Sequence, residues 1–132
     1  MKYLLDTCCV SDFVKGNNNT LQKIKNCEPT DLALSSITVM ELEYGLAYNP
    51  EKAKKIKKII KDFVSCLTIL PYFEEDALHS AKVRTNLRKA GTPIGSYDLL
   101  IAGTALSHDL ILVTANEKEF KRVPHLKIVN WR

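Results

Sequence analysis

The sequence of 132 residues lacks the features of membrane, secreted and multidomain proteins. It has no apolar run near the ~20 residues that an α-helix needs to cross a bilayer, which excludes a membrane-spanning helix. Asp6 interrupts the N-terminal apolar residues too early for the core of a signal peptide. No internal repeat, low-complexity run or linker divides the chain, so we expect one domain over residues 1–132.

The four cysteines form neither a zinc motif nor a disulfide framework. Cys8 and Cys9 are adjacent, and none of the four belongs to a Cys-x-x-Cys pair or to a histidine spacing typical of zinc. We therefore predict reduced thiols in a cytoplasmic protein, with Cys8 and Cys9 as small core residues. The net charge of +4 suits a polyanionic partner, although a solvated basic surface explains it equally well.

Short apolar runs alternate with amphipathic stretches, which indicates strands alternating with helices. The predicted strands are 3–5, 32–34, 67–70, 110–113 and an edge strand at 127–129. The predicted helices are 11–15, a short one around 21–24, one opening at Thr38, 51–64, 75–90, 99–106 and 117–121. Gly16 and Gly91 are expected to end two of them. This alternation predicts an α/β sandwich with a mostly parallel sheet of four to five strands.

Polar residues follow two of the predicted strands directly. Asp6 comes after the first strand, and Thr114 and Asn116 come after the fourth. Because ligands bind outside the carboxyl ends of the strands in open parallel sheets, we expect these residues at one edge. Asp98 begins the most apolar helix of the chain, where a charge is costly unless it is paired or bound to a cation.

Each acidic candidate also has a purely structural explanation. Asp6 could cap the following helix, and Asp98 could be a favourable first-turn acid. Glu41 with Thr38 fits a capping box, in which the glutamate reaches back to the first turn. Glu119 could be an exposed helical acid on the same face as the residue three positions before it.

A cluster of these carboxylates would require a counter-charge, because each negative charge raises the pKa of its neighbours. A hard divalent cation supplies that charge, and Mg²⁺ or Mn²⁺ prefers oxygen ligands. Such a cation can polarise a phosphodiester and lower the pKa of a bound water. The acids therefore predict metal-assisted hydrolysis, provided that the fold brings them together.

Four segments occur in the order and spacing of a known family. They are Leu-Leu-Asp-Thr at 4–7, Ser-Ser-Ile-Thr-Val-Met-Glu-Leu-Glu-Tyr-Gly at 35–45, Gly-Thr-Pro-Ile-Gly-Ser-Tyr-Asp-Leu-Leu-Ile-Ala-Gly at 91–103, and Leu-Val-Thr-Ala-Asn-Glu-Lys-Glu-Phe at 112–120. Together with the ending Val-Asn-Trp at 129–131, they resemble the motifs of PIN-domain ribonucleases, and more closely those of VapC toxins. The chain departs from the family at Cys8, often Asn, at Thr92, where a basic residue is common, and at Asn116, often Asp.

The resemblance implies a PIN-like α/β/α sandwich and Mg²⁺-dependent endonucleolytic cleavage of RNA. Asp6 and Asp98 would be the principal metal ligands, and Glu41 and Glu119 would complete a catalytic and metal-binding set of four acids. Thr114 and Asn116 would support this set. The departures concern the fine geometry and the number of metal ions, not the class of protein.

The resemblance also implies partners. The chain would be the toxin of a type II toxin–antitoxin system, a homodimer that forms a higher complex with a VapB-type antitoxin covering the site. The third segment is close to that of toxins that cut initiator tRNA in the anticodon stem-loop. Basic residues beside the third and fourth segments are candidates for RNA contacts: Arg84, Arg88, Lys89, Lys118 and Arg122.

Two other functions stay open at this point. One is a catalytically inactive PIN-fold module that binds RNA, which would be expected to lack some of the acids. The other is a haloacid dehalogenase-like phosphatase, whose first strand also ends in Asp. That family requires a second Asp two residues later, where this chain has Cys8.

Overall fold

The computed structural model describes all residues, 1–132. Its strands are β1 (Tyr3–Leu5), β2 (Leu32–Ser35), β3 (Thr68–Leu70), β4 (Ile111–Val113) and β5 (Ile128–Val129). They form one sheet in the order β3-β2-β1-β4-β5, and every neighbouring pair is parallel. The predicted α/β architecture and the edge position of the last strand are confirmed, and the sheet is wholly parallel.

Seven α-helices connect the strands, together with a 3₁₀ turn at Pro29–Asp31. They are α1 (Thr7–Lys15), α2 (Asn18–Lys25), α3 (Ser36–Tyr48), α4 (Pro50–Ser65), α5 (Glu74–Lys89), α6 (Ser96–Ser107) and α7 (Glu117–Phe120). None of the helices combines the length and the apolar character that a bilayer crossing requires.

Helices α1 and α3 are among those that begin earlier than the sequence pattern predicts. Helix α1 starts at Thr7 because the Asp6 side chain caps it, and α3 starts at Ser36 because Ser35 Oγ accepts a 3.0 Å hydrogen bond from the Ile37 amide. The predicted helix ends are confirmed, because Gly16 and Gly91 both have positive φ, at 80° and 71°. Only a residue without Cβ adopts that conformation at no steric cost.

Alternate residues of each strand enter two different cores. Leu4, Ala33 and Leu112 pack with α5 and α6 on one face of the sheet, whereas Leu5, Leu34 and Val113 pack on the other. The second core is completed by α1, α3, α4 and Trp131. Because successive side chains of a strand point to opposite faces and both faces are covered, the strands are mainly apolar and separate two helical layers. The chain is therefore an α/β/α sandwich.

The strand order reverses around β1. From β1 the chain adds β2 and then β3 on one side, and it returns to place β4 and β5 on the other side. The carboxyl ends of β1 and β4 therefore border a crevice at the switch point, which is where open parallel sheets bind ligands. The crevice places the residues that follow β1 beside those that follow β4.

Helix α6 is buried along its middle, as its apolar sequence predicts. Residues 101–105 are all buried, and the helix packs closely against α5. At Gly103 an added Cβ would lie 2.9 Å from the Asp76 carbonyl oxygen and from the Ser80 amide nitrogen of α5, and closer still to Ser80 Oγ. The contact with backbone atoms means that a side chain at Gly103 would force the two helices apart.

We therefore expect Gly103→Ala to lower the free energy of unfolding by about 1–3 kcal/mol, as overpacked cores do. Gly45→Ala is the matched control, since Gly45 is an exposed helical glycine with no atom within 4 Å of an added Cβ. There the substitution should stabilise by about 0.5–1 kcal/mol. Urea denaturation of both variants provides the measurement, and equal stability of the two would contradict the close packing of α5 and α6.

Candidate active site

Asp6 is anchored by two elements at the carboxyl end of β1. Its Oδ1 accepts a 2.7 Å hydrogen bond from the Thr7 amide, so the capping interpretation of Asp6 is confirmed. Its Oδ2 accepts a 2.7 Å hydrogen bond from Thr114 Oγ1, which follows β4. The side chain is almost fully buried. Asp6 therefore caps α1 and also bridges the two strands that border the crevice.

Glu41 lies in the second turn of α3 and does not cap that helix. The predicted capping box with Thr38 is wrong, because Ser35, three residues before Thr38, caps the helix. The Glu41 side chain instead points toward β1, and its Oε1 accepts a 2.8 Å hydrogen bond from Thr7 Oγ1. Thr7 thus links Glu41 to the carboxylate of Asp6.

Asp98 and Glu119 meet at the start of α6. Asp98 lies in the first turn and is half-buried, as the sequence predicts. Glu119 Oε1 accepts a 2.5 Å hydrogen bond from the Gly95 amide, and its Oε2 accepts one of 2.8 Å from Asn116 Nδ2. The carboxyl groups of Asp98 and Glu119 lie close enough to influence each other's pKa. The predicted pairing of Asn116 with Glu119 is therefore confirmed.

The electrostatics of Asp98 reflect the proximity of all four acids. Burial, followed by the negative charges of Asp6, Glu119 and Glu41, raises the pKa of Asp98 from 3.8 to about 7. The pKa of Glu119 is lowered, first by the Gly95 amide and then by the Asn116 side chain. The fold therefore brings the four predicted acids into one site.

The donors in this site are oxygen atoms, the chemistry that Mg²⁺ and Mn²⁺ prefer. No set of three or more acidic, histidine or cysteine side chains stands close enough to ligate an ion directly. Several carboxylate oxygens are occupied by hydrogen bonds from Thr7, Thr114, Gly95 and Asn116. The donor chemistry and the uncompensated charge fit a hard cation that retains part of its water shell, as Mg²⁺ usually does.

Three residues of the site were not predicted from the sequence. Thr7 holds Glu41 and the Gly95 amide holds Glu119, and each contact joins segments that are distant in the sequence. Thr7 and Gly95 nevertheless stand near predicted acids in the quoted motifs. Cys8 was expected in the core, but it is only partly buried, and its Sγ donates a 3.5 Å hydrogen bond to Asp6 Oδ2. Burial and the charge of Asp6 raise the pKa of Cys8. Cys9 is buried as predicted, and all four cysteines are free.

The basic candidates are exposed in two parts of the chain. Arg84, Arg88 and Lys89 are exposed on α5, and Lys118 and Arg122 are exposed in and after α7. Arg122 Nη1 donates a 2.9 Å hydrogen bond to the Pro93 carbonyl oxygen, which ties the loop before α6 to the region after α7.

Comparison with protein families matches residues 3–126 to the PIN domain. The chain belongs to the PIN-domain family. It is 40% identical over 131 residues to "Ribonuclease VapC2" of Haemophilus influenzae and 34% identical to "tRNA(fMet)-specific endonuclease VapC" of Salmonella typhimurium, in each case covering 99% of this chain and 98% of the relative. The solved structure of DNA-bound VapBC from Salmonella typhimurium superposes with a TM-score of 0.90 at 34% identity, covering 100% of this chain and 99% of that chain.

These matches confirm the resemblance to VapC proteins and the PIN-like sandwich. They also assign the strand-terminal Asp6 to a PIN domain and not to a haloacid dehalogenase-like phosphatase. Cys8, where that phosphatase family needs a second Asp, agrees with this assignment.

The crowding of the acids predicts that Asp98 destabilises the metal-free fold. Because folding raises the pKa of Asp98 from 3.8 to about 7, the folded state loses stability as the pH rises between these values and stays less stable above 7. In EDTA, Asp98→Asn should therefore raise the melting temperature at pH 8, and the gain should vanish near pH 4.

The matched control is Glu43→Gln, which removes an exposed acid of α3. It should leave the melting temperature almost unchanged at both pH values. A lower melting temperature of Asp98→Asn at pH 8 would contradict the conclusion that a charged Asp98 destabilises the fold.

Proposed function

We propose that residues 1–132 form a single PIN domain that acts as a divalent-metal-dependent endoribonuclease, the toxin of a VapBC-type toxin–antitoxin pair. The observation that carries this proposal is the convergence of four carboxylates, where burial and the charges of the neighbouring acids raise the pKa of Asp98 to about 7. Relatives named as ribonucleases at 34–40% identity over nearly the whole chain support RNA as the substrate.

Asp6 and Asp98 would hold the cation, because Asp6 is almost fully buried at the crevice between β1 and β4, and the half-buried Asp98 lies within the influence of the other three acids. Glu41 and Glu119 would complete the site, either directly or through water. When bound, Mg²⁺ or Mn²⁺ supplies Lewis acidity toward the scissile phosphate and a water of lowered pKa.

Thr114, Thr7 and Asn116 would preorganise the acids. Thr114 Oγ1 holds Asp6 from β4 and also accepts a 3.0 Å hydrogen bond from the Asn116 amide. Thr7 fixes Glu41, and Asn116 fixes Glu119. Asp6, Glu41 and Glu119 therefore keep their orientation through the protein's own hydrogen bonds, which reduces the reorganisation that cation binding would require.

The proposed substrate is tRNA. More specifically, we propose that the protein cuts initiator tRNA in the anticodon stem-loop. A relative named for tRNA(fMet) cleavage supports it. The exposed cations beside the acids would contact phosphates: Arg84, Arg88, Lys89, Lys118 and Arg122. The protein would act in the cytoplasm, where tRNA is found, as a homodimer inhibited by a VapB-type antitoxin. VapBC complexes among its structural relatives support that partner.

The central prediction concerns the acids. Asp6→Asn and Asp98→Asn should each reduce RNA cleavage by at least about a hundredfold, because they remove charge from the cation and the transition state. Glu41→Gln should also reduce cleavage, whereas Glu43→Gln on the same helix should not. EDTA should abolish cleavage and Mg²⁺ or Mn²⁺ should restore it, measured with antitoxin-free protein and a labelled tRNA pool.

Two results would contradict the proposal. Full activity of Asp98→Asn would contradict the assignment of Asp98 as a metal ligand. Absence of cation-dependent cleavage of any RNA, in protein freed of its partner, would instead favour the inactive RNA-binding module. Sequencing of the 5′ ends produced on expression identifies the cut site.

Thr114 provides a separate prediction about metal affinity. Thr114→Val removes the hydroxyl that orients Asp6, so the Mg²⁺ concentration for half-maximal rate should rise about 10- to 100-fold. Thr114→Ser keeps the hydroxyl and should restore near-normal affinity. If valine and serine behaved alike, Thr114 would not position Asp6.

A further inference from the structure

A groove lies directly behind the loop that carries Gly95. Its volume is about 630 Å³, within the range of about 300–1,000 Å³ typical of small-molecule sites. Helix α5 contributes Arg84, Leu87 and Arg88, and the loop and the start of α6 contribute the remaining lining residues: Pro93, Ile94, Ser96, Tyr97, Leu99 and Leu100.

The loop before α6 contacts both the acids and the groove. The Gly95 amide contacts Glu119 on the side of the acids, whereas Pro93 and Ile94 line the groove. Tyr97 in the groove is adjacent in sequence to Asp98 in the site. A polymer whose backbone crosses the acids can therefore place a neighbouring unit in the groove.

The chemistry of the lining fits a nucleotide. Leu87 is buried, Ile94 and Leu99 pack against the same core, and together they form a fixed apolar floor. The Tyr97 side chain is 52% exposed, so its ring is available for stacking. Two arginines line the groove and no acidic residue does, which favours an anionic ligand such as a nucleotide over a basic peptide.

We infer that this groove binds one base of the RNA strand, stacked against Tyr97, while Arg84 and Arg88 pair with the flanking phosphates. The inference rests on the proposed ribonuclease function and deepens it, because it assigns the nucleotide beside the cut to a specific part of the protein. Base stacking on an aromatic ring and arginine contacts to phosphates are the usual means of recognising single-stranded RNA.

The test uses small ligands and does not depend on cleavage. Methyl NMR of metal-free protein in EDTA follows Leu87, Ile94 and Leu99 during titration with each of the four nucleoside 5′-monophosphates and with ribose 5-phosphate, which has no base. At least one nucleotide should bind about fivefold or more tightly than ribose 5-phosphate. Tyr97→Ala should abolish this difference, and Tyr97→Phe should keep it.

Matched variants separate the base from the phosphate. Tyr48→Ala, which removes an exposed aromatic side chain of α3, should leave the preference unchanged. Arg84→Gln combined with Arg88→Gln should weaken the nucleotides and ribose 5-phosphate by similar factors, because both carry phosphate. Binding that is equal with and without a base, or unaffected by Tyr97→Ala, overturns the inference.

Three further outcomes are distinguishable. Shifts of the same methyl groups on dilution alone, lost when nucleotide is added, would assign the groove to a second copy of the chain and overturn the inference. Base-dependent binding in a protein that cleaves no RNA would uphold the groove and reject the ribonuclease function. Cleavage without base-dependent binding would uphold the ribonuclease function and reject the groove as a base site.

Discussion

Strand β1 lies at the centre of a wholly parallel sheet, and the chain reverses its direction of strand addition around it. This topology opens a crevice at the carboxyl ends of β1 and β4, and the residues that follow these strands face each other across it. The 2.7 Å hydrogen bond between Thr114 and Asp6 joins the two sides. Helices α3 and α6 then bring Glu41 and Asp98 to the same edge, so the arrangement of the acids follows from the order of the strands.

The protein's own hydrogen bonds offset only part of the repulsion among the crowded acids. Hydrogen bonds from Thr7, Gly95 and Asn116 orient Glu41 and Glu119, and the Gly95 and Asn116 contacts stabilise the charged form of Glu119. Nothing comparable stabilises a charged Asp98, whose pKa rises to about 7. A cluster of this kind lowers the stability of the fold, which is a common property of functional sites.

Much of the architecture follows from sequence patterns, because apolar runs, terminal glycines and the position of Asp6 report local preferences. The starts of α1 and α3 were predicted too late, since Asp6 and Ser35 cap these helices before their apolar periodicity becomes visible. The bond between Thr7 and Glu41 joins residues 34 positions apart, and no local pattern reveals it. The four acids were recognised as a set through the family resemblance, whereas their mutual influence required the folded structure.

The most direct test of the cation site is paramagnetic line broadening. Substoichiometric Mn²⁺ added to ¹⁵N-labelled protein at pH 7.5 should first broaden the amide resonances of Asp6, Glu41, Asp98 and Glu119 and their sequence neighbours. Mg²⁺ in excess should reverse the effect. Broadening confined to another acidic surface, such as the exposed Glu74 and Glu75 at the start of α5, would show that the four acids do not form a cation site.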